Sequence, residues 1–144
     1  MKKEIRNMKK QEKRVPLCEA VIHNDSVAFQ RLLTEGADVN ELDYNNISAL
    51  FYACQNGHYE MAKSLIQNGA NLEVKDRFGK TPLSMAVFWY KVNNNVSDGK
   101  LIKLLIEAGA DINAKNNAGI SPFSLAHTIA GFPFLDLFEK KQSE

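Results

Sequence analysis

One five-residue phrase occurs three times in this chain, as Gly36-Ala37-Asp38-Val39-Asn40, Gly69-Ala70-Asn71-Leu72-Glu73 and Gly109-Ala110-Asp111-Ile112-Asn113. The first two copies start 33 residues apart and the last two 40 apart, so one unit recurs with seven residues inserted into its third copy. Three further columns share this irregular spacing: Leu17, Leu50, Leu83, Phe123; Ala20, Ala53, Ala86, Ala126; and Leu32, Leu65, Leu105, Phe138. A unit this short cannot bury its own apolar face, so its copies must stack into a continuous core.

Local chemistry predicts two helices per unit. Pro16, Pro82 and Pro122 stand where a helix begins and a missing N–H is harmless, and Ser48, Thr81 and Ser121 are placed as N-caps. Val15 cannot cap, and Ala49 lacks the proline ring. Asn24 and Gly57, which tolerate a left-handed backbone, mark the ends of the first two of these helices. The second helix is apolar at Phe29, Leu32 and Leu33, at Met61, Leu65 and Ile66, and at Leu101, Ile102, Leu105 and Ile106, one stripe per copy. Gly36, Gly69 and Gly109 supply its stop. Asp43-Tyr44-Asn45-Asn46, Asp76-Arg77-Phe78-Gly79 and Asn116-Asn117-Ala118-Gly119 read as tight turns that open on Asp or Asn and close on a residue able to take positive φ.

Residues 48–80 carry Ser48-Ala49-Leu50, Ala53, Asn56-Gly57-His58, Leu65-Ile66, Asn68-Gly69-Ala70-Asn71 and Asp76-Arg77-Phe78-Gly79. In these the chain resembles the ankyrin-repeat family, over roughly residues 15–140. The resemblance implies an all-α solenoid of paired antiparallel helices joined by β-turn fingers. It divides the chain into a basic arm or capping helix over 1–14 and a repeat domain over 15–144. The repeats are 15–47, 48–80, 81–120 with the insertion, and 121–144 as a C-terminal cap. Glu139 stands where earlier copies have Leu33, Ile66 and Ile106. The family's Thr-Pro-Leu-His tetrapeptide is never whole, because Cys18, Phe51, Ser84 and Ser124 occupy its last place. Loss of that histidine's ties between turns predicts a modestly stable array.

With 44% hydrophobic and 24% charged residues and no apolar run of membrane-spanning length, the composition fits one soluble domain. Charged residues interrupt the start up to Asp25, and a cytoplasmic location is expected. Cys18 and Cys54 fall in different repeat columns and are read as buried, reduced thiols. Residues 1–14 hold seven Lys or Arg against two Glu, a net of +5, while the rest hold eleven against fifteen, a net of −4. Such an arm suits a nucleic-acid or membrane adaptor. Its interspersed acids and lack of aromatics favour a solvated capping helix instead, with Ile5, Met8, Glu12 and Val15 at roughly helical spacing.

No metal or cofactor is expected, because His23, His58 and His127 lie in different columns and none has a ligand spacing to another His or Cys. There is no glycine-rich phosphate loop and no serine elbow, so the chain reads as no enzyme. In the ankyrin resemblance, fingers and first helices line a concave groove that binds another protein. Carried over position by position, the groove holds Glu19, Tyr52, Met85 and Leu125 in one column and Ile22, Gln55, Phe88 and Thr128 in the next. The finger tips add Tyr44, Asn45, Arg77, Phe78, Lys80, Asn117 and Ala118. Tyr52, Arg77, Phe78, Met85, Phe88 and Trp89 have the composition of an interface hot spot. Phe88 and Trp89 are equally readable as internal padding of the longer third repeat.

The insertion, Lys91-Val92-Asn93-Asn94-Asn95-Val96-Ser97, is expected to lengthen the loop away from the fingers or to extend the first helix by a turn. A monomer is expected. With 14 Lys against 4 Arg and 14 Asn, the composition points to an AT-rich genome. Small bacterial members of the family include immunity proteins, so inhibition of a cognate toxin or enzyme is an alternative use of the groove.

Overall fold

The computed structural model describes residues 14–92 and 99–144, together with Lys2. Among them the chain forms eight helices and no strand: α1 (Pro16–Ile22), α2 (Ser26–Thr34), α3 (Ala49–Gln55), α4 (Tyr59–Gln67), α5 (Pro82–Val92), α6 (Lys100–Glu107), α7 (Pro122–His127) and α8 (Leu135–Gln142). Of the arm or capping helix expected over 1–14, all but Lys2 and Arg14 lie outside the described residues, as do the insertion residues 93–97.

Five of the eight helix starts have a local cause in a cap or a proline. Ser48 Oγ accepts from the Phe51 N–H at 3.2 Å, and Thr81 Oγ1 accepts from the Ser84 N–H at 3.2 Å. Ser121 and Ser124 form a reciprocal box, with each hydroxyl accepting from the other's N–H. Val15 makes no side-chain cap, and Pro16 stands in the first turn. The aspartate carboxylate of Asp25 caps α2 by accepting from the Ala28 N–H.

The recurring Gly-Ala phrase ends each second helix. The N–H of Ala37, Ala70 and Ala110 returns to the carbonyl of Leu32, Leu65 and Leu105 at 3.0 Å, which closes the last turn in a Schellman motif. The phrase's third residue, Asp38, Asn71 or Asp111, then accepts from the N–H two residues on.

Odd-numbered helices pack in one row, α1 on α3, α3 on α5 and α5 on α7, and each packs on its own even-numbered partner. In the second row α4 packs on α6 and α6 on α8. The repeated columns lie at the junctions: Leu50, Leu83, Leu65, Leu105 and Phe138 are buried, whereas Leu32 and Phe123 in the outer repeats are only half-buried. Each fully buried Leu or Phe stabilises the stack by about 1.5–3 kcal/mol.

Hydrogen bonds between repeats run through residues other than the absent histidine. Asn40 Oδ1 accepts from the Asn71 N–H at 2.7 Å and its Nδ2 donates to the Gly69 carbonyl at 3.1 Å. Glu73 Oε1 accepts from the Asp111 N–H at 2.8 Å, and Asn113 Nδ2 donates to Gln142 Oε1 at 2.8 Å. The fifth residue of the phrase is therefore the tie. At the histidine's own place, the Cys18 thiol reaches the Ile47 carbonyl at 3.9 Å, a weak bond to the next finger.

Helix α5 runs to Val92, a turn longer than α1 or α3, as the helix-extension reading of the insertion expects. The added turn places Tyr90 edge-on to Phe132 at 5.2 Å and to Phe134 at 6.1 Å. Phe132 also meets Phe138 at 6.0 Å, so one aromatic cluster binds repeat three to α8. The outer face of α8 is polar, with Asp136, Glu139 and Lys140 exposed.

Candidate functional site

The three fingers share one construction. Asp43 Oδ1 accepts from the N–H of Asn45 and Ile47, Asp76 Oδ1 from Phe78 and Lys80, and Asn116 Oδ1 from Ala118 and Ile120, at distances of 2.9–3.1 Å. Backbone bonds close each loop: Asp43 with Ile47, Asp76 with Lys80, and Asn116 with Ile120. The turn residues Asn46, Gly79 and Gly119 have φ of 58°, 75° and 78°. With its carboxylate or amide used inward, each finger presents the residues at its tip.

Fingers two and three are joined. The Asn117 N–H donates to the Phe78 carbonyl at 2.9 Å and Asn117 Nδ2 to the Arg77 carbonyl at 3.0 Å. Asn117 thus serves mainly as a brace. The pair positions a run of cations and rings: Arg77 Cζ lies 4.7 Å from the Phe78 ring centre, and Lys80 Nζ lies 5.6 Å from Phe78 and 5.4 Å from Phe88. Phe78 is 50% exposed and Phe88 43%. Beside them a recess of ≈ 200 Å³ opens between α5, finger three and α7.

A second recess, ≈ 250 Å³, lies at finger one and is lined by Arg14, Glu19, Ile22, Asp43, Tyr44, Asn45 and Tyr52. Here the Tyr52 hydroxyl donates to Asp43 Oδ2 at 2.5 Å, which fastens finger one to α3. Burial, and then this bond to the carboxylate, raises the phenol above its ordinary value.

The structure therefore gathers Tyr44, Asn45 and Tyr52 at one end of the face, and Arg77, Phe78, Lys80, Phe88 and Asn117 at the other. Gln55 is exposed beyond both recesses. Met85, expected on the groove, is a correction: it is only 7% exposed, because its place on α5 faces the neighbouring repeat. Trp89 is half-buried and lies away from both recesses. Its indole sits over Gly57, where an added Cβ would come within 2.6 Å, and it lines a crevice with Tyr59 and Lys100 beside the start of α6. Phe88, one residue earlier on α5, is exposed. Sequence reasoning missed Ile120, which is 43% exposed; its alignment with Lys80, the last residue of finger two, was the available signal.

Both thiols are free and buried. Burial, with Asp43, Glu41 and Glu19 nearby, pushes the Cys18 thiol up to about 12, and burial raises Cys54 as well. A thiol whose folded pKa exceeds its unfolded one stabilises fully below the ordinary value of 9.0 and loses that contribution as pH climbs towards the folded value. Urea midpoints should therefore fall between pH 8.5 and 11, and the Cys18→Ala/Cys54→Ala variant should lose less over the same interval. An equal fall in both proteins would show that the thiols contribute nothing.

Among the described residues no group of three or more His, Cys, Asp or Glu is placed to hold a metal ion, and no helix is long and apolar enough to cross a membrane. Burial lowers His58 from its ordinary value, at the start of α4 rather than on this face.

The stacked helices and braced fingers form a repeat-built scaffold. Residues 17–116 match the family model for ankyrin repeats in three copies, and the chain belongs to that family. It is 41% identical over 71 residues to the potassium channel SKOR of Arabidopsis thaliana, covering 49% of this chain and 9% of the channel. It is also 36% identical over 58 residues to the ankyrin repeat protein OPG189 of Variola virus, covering 40% of this chain and 10% of that protein. Inversin of Canis lupus familiaris is 38% identical over 73 residues, covering 51% of this chain and 7% of inversin. The chain thus spans a tenth or less of each of these relatives.

Proposed function

We propose that this chain is a non-catalytic protein-binding module whose partner docks on the face made by the fingers and first helices. Ankyrin repeats are generally protein-interaction modules. The observation that carries the assignment to this face is the pair Phe78 and Phe88, both exposed, with Lys80 between them and Arg77 on the outer ring. Interfaces concentrate their energy in such aromatic and arginine anchors. The anchors stand on an internally hydrogen-bonded turn and on helix α5, so little ordering cost falls on association. Inhibition of a toxin or enzyme is a narrower form of the same reading, and nothing on this face favours it over other protein partners.

The test replaces Tyr52, Arg77 and Phe78 together by Ala. Because Tyr52 also fastens finger one, circular dichroism and a urea titration must first show a folded variant. The partner retained from the native cell by the unmodified chain should then bind the variant at least about thirtyfold more weakly, as loss of one or more hot-spot residues entails. Unchanged affinity in a folded variant would remove the function from this face.

A further inference from the structure

We propose that the segment docking at the Phe78–Phe88 end of the face is an acidic, apolar stretch of the partner protein, one apolar side chain entering the recess with a carboxylate beside it on Lys80. The inference rests on the protein-binding reading and adds the chemistry of what is bound.

The argument is one of leftover capacity. The recess of ≈ 200 Å³ is lined by Lys80, Ser84, Phe88, Asn116, Ile120, Ser121 and Leu125. Its neutral acceptors are used internally. Asn116 Oδ1 accepts two finger N–H groups, Ser84 Oγ accepts from Thr81, and the Ser121 and Ser124 hydroxyls serve their capping box. What faces a visitor is apolar surface from Phe88, Ile120 and Leu125, with two donors beside it, the Lys80 ammonium and the Asn116 amide. Among the described residues, neither Lys80 nor Arg77 has a carboxylate within ion-pair distance.

Lys80 is held at 5.6 and 5.4 Å from two ring centres, so its charge is positioned before any partner arrives. A neighbouring recess of ≈ 240 Å³ shares Lys80 and Asn116 and extends the same surface to Phe78 and Ala118. Apolar floor and fixed cation together recognise an apolar residue next to Asp or Glu.

The opposite end of the face differs in character: Glu19 and Asp43 line the finger-one recess together with Arg14, so its charge is mixed rather than cationic. Nucleic acid fits less well, because the rings a base would stack on already carry Arg77 and Lys80, and residues 15–144 carry a net charge of −4.

The experiment selects a random peptide library displayed on phage against the full chain, then measures binding of the enriched peptides as synthetic, fluorescently labelled copies. Enriched sequences should carry an apolar residue within two positions of Asp or Glu. Their affinity should fall about tenfold or more with Lys80→Glu, and also with Phe88→Ser, while Lys80→Arg should change it little. Enrichment of basic sequences, or of acidic ones that bind Lys80→Glu equally well, would overturn the inference and leave the protein-binding reading standing. Tighter binding of an oligouridylate than of any selected peptide, lost in Lys80→Glu, would overturn it in favour of nucleic acid. If no peptide is enriched, the inference falls; the protein-binding reading falls with it only if the Tyr52, Arg77, Phe78 triple variant also retains the native partner undiminished.

Discussion

Phe138→Ala should lower the unfolding free energy by about 3–5 kcal/mol, the cost of removing a fully buried aromatic side chain and leaving its cavity. Phe138 ends the column begun by Leu32, Leu65 and Leu105, and it is the only member contributed by α8. It packs beside Phe132, which in turn meets Tyr90, so its loss loosens the aromatic cluster that binds repeat three to α8. In a stack held by neighbour contacts, such damage stays local. Hydrogen exchange should therefore quicken through α7 and α8 well before α3 and α4, alongside a lower urea midpoint. A uniform increase across all helices would mean that the array unfolds as one unit. An unfolding free energy within about 1 kcal/mol of that of the unmodified chain would mean that the site collapses around the missing ring.

The second large effect is expected at Gly79. It has φ of 75°, and a Cβ placed there would come within 2.6 Å of Asn117 Oδ1 and 3.0 Å of Asn117 N. Gly79→Val combines a β-branched residue in a left-handed conformation with that clash. It should cost about 2–4 kcal/mol from backbone strain and the two lost bonds between fingers two and three. Those bonds also hold Phe78 in register with finger three. Partner affinity should thus fall even under conditions where the variant is fully folded, a result that separates positioning from stability. Full affinity in a folded Gly79→Val protein would show that the junction plays no part in recognition. Asn117→Ala, which removes only the side-chain bond, should produce a smaller change in the same direction.

The helices were legible because their signals are local. Ser48, Thr81 and Ser121 cap the turns that follow them, and Asn46 takes positive φ in a finger where the others have glycine. The recurrence of Leu50, Leu83, Leu65 and Leu105 identified the core, since a repeated column can be buried only against its own copies.

The binding face was less legible, because adjacent residues on one helix leave it in different directions. Met85, Phe88 and Trp89 all lie on α5, yet Met85 turns into the stack, Phe88 outward and Trp89 over Gly57. Their fates depend on the added turn of α5 and on the path of the neighbouring repeat, neither of which is a property of the residues themselves. The ties that run between repeats were not legible from the histidine column. Asn40, Glu73 and Asn117 perform that task from positions whose side-chain partners lie 29–40 residues away.

The bond between Asn117 and finger two has a consequence for how such a face changes. Fingers two and three are 40 residues apart in sequence, fingers one and two 33, and the difference is the insertion after Tyr90. Because fingers two and three are clasped directly to each other, their separation is set by the clasp and not by the length of chain between them. Length and recognition are thereby uncoupled: segments can be gained or lost between two fingers while the spacing read by a partner stays constant.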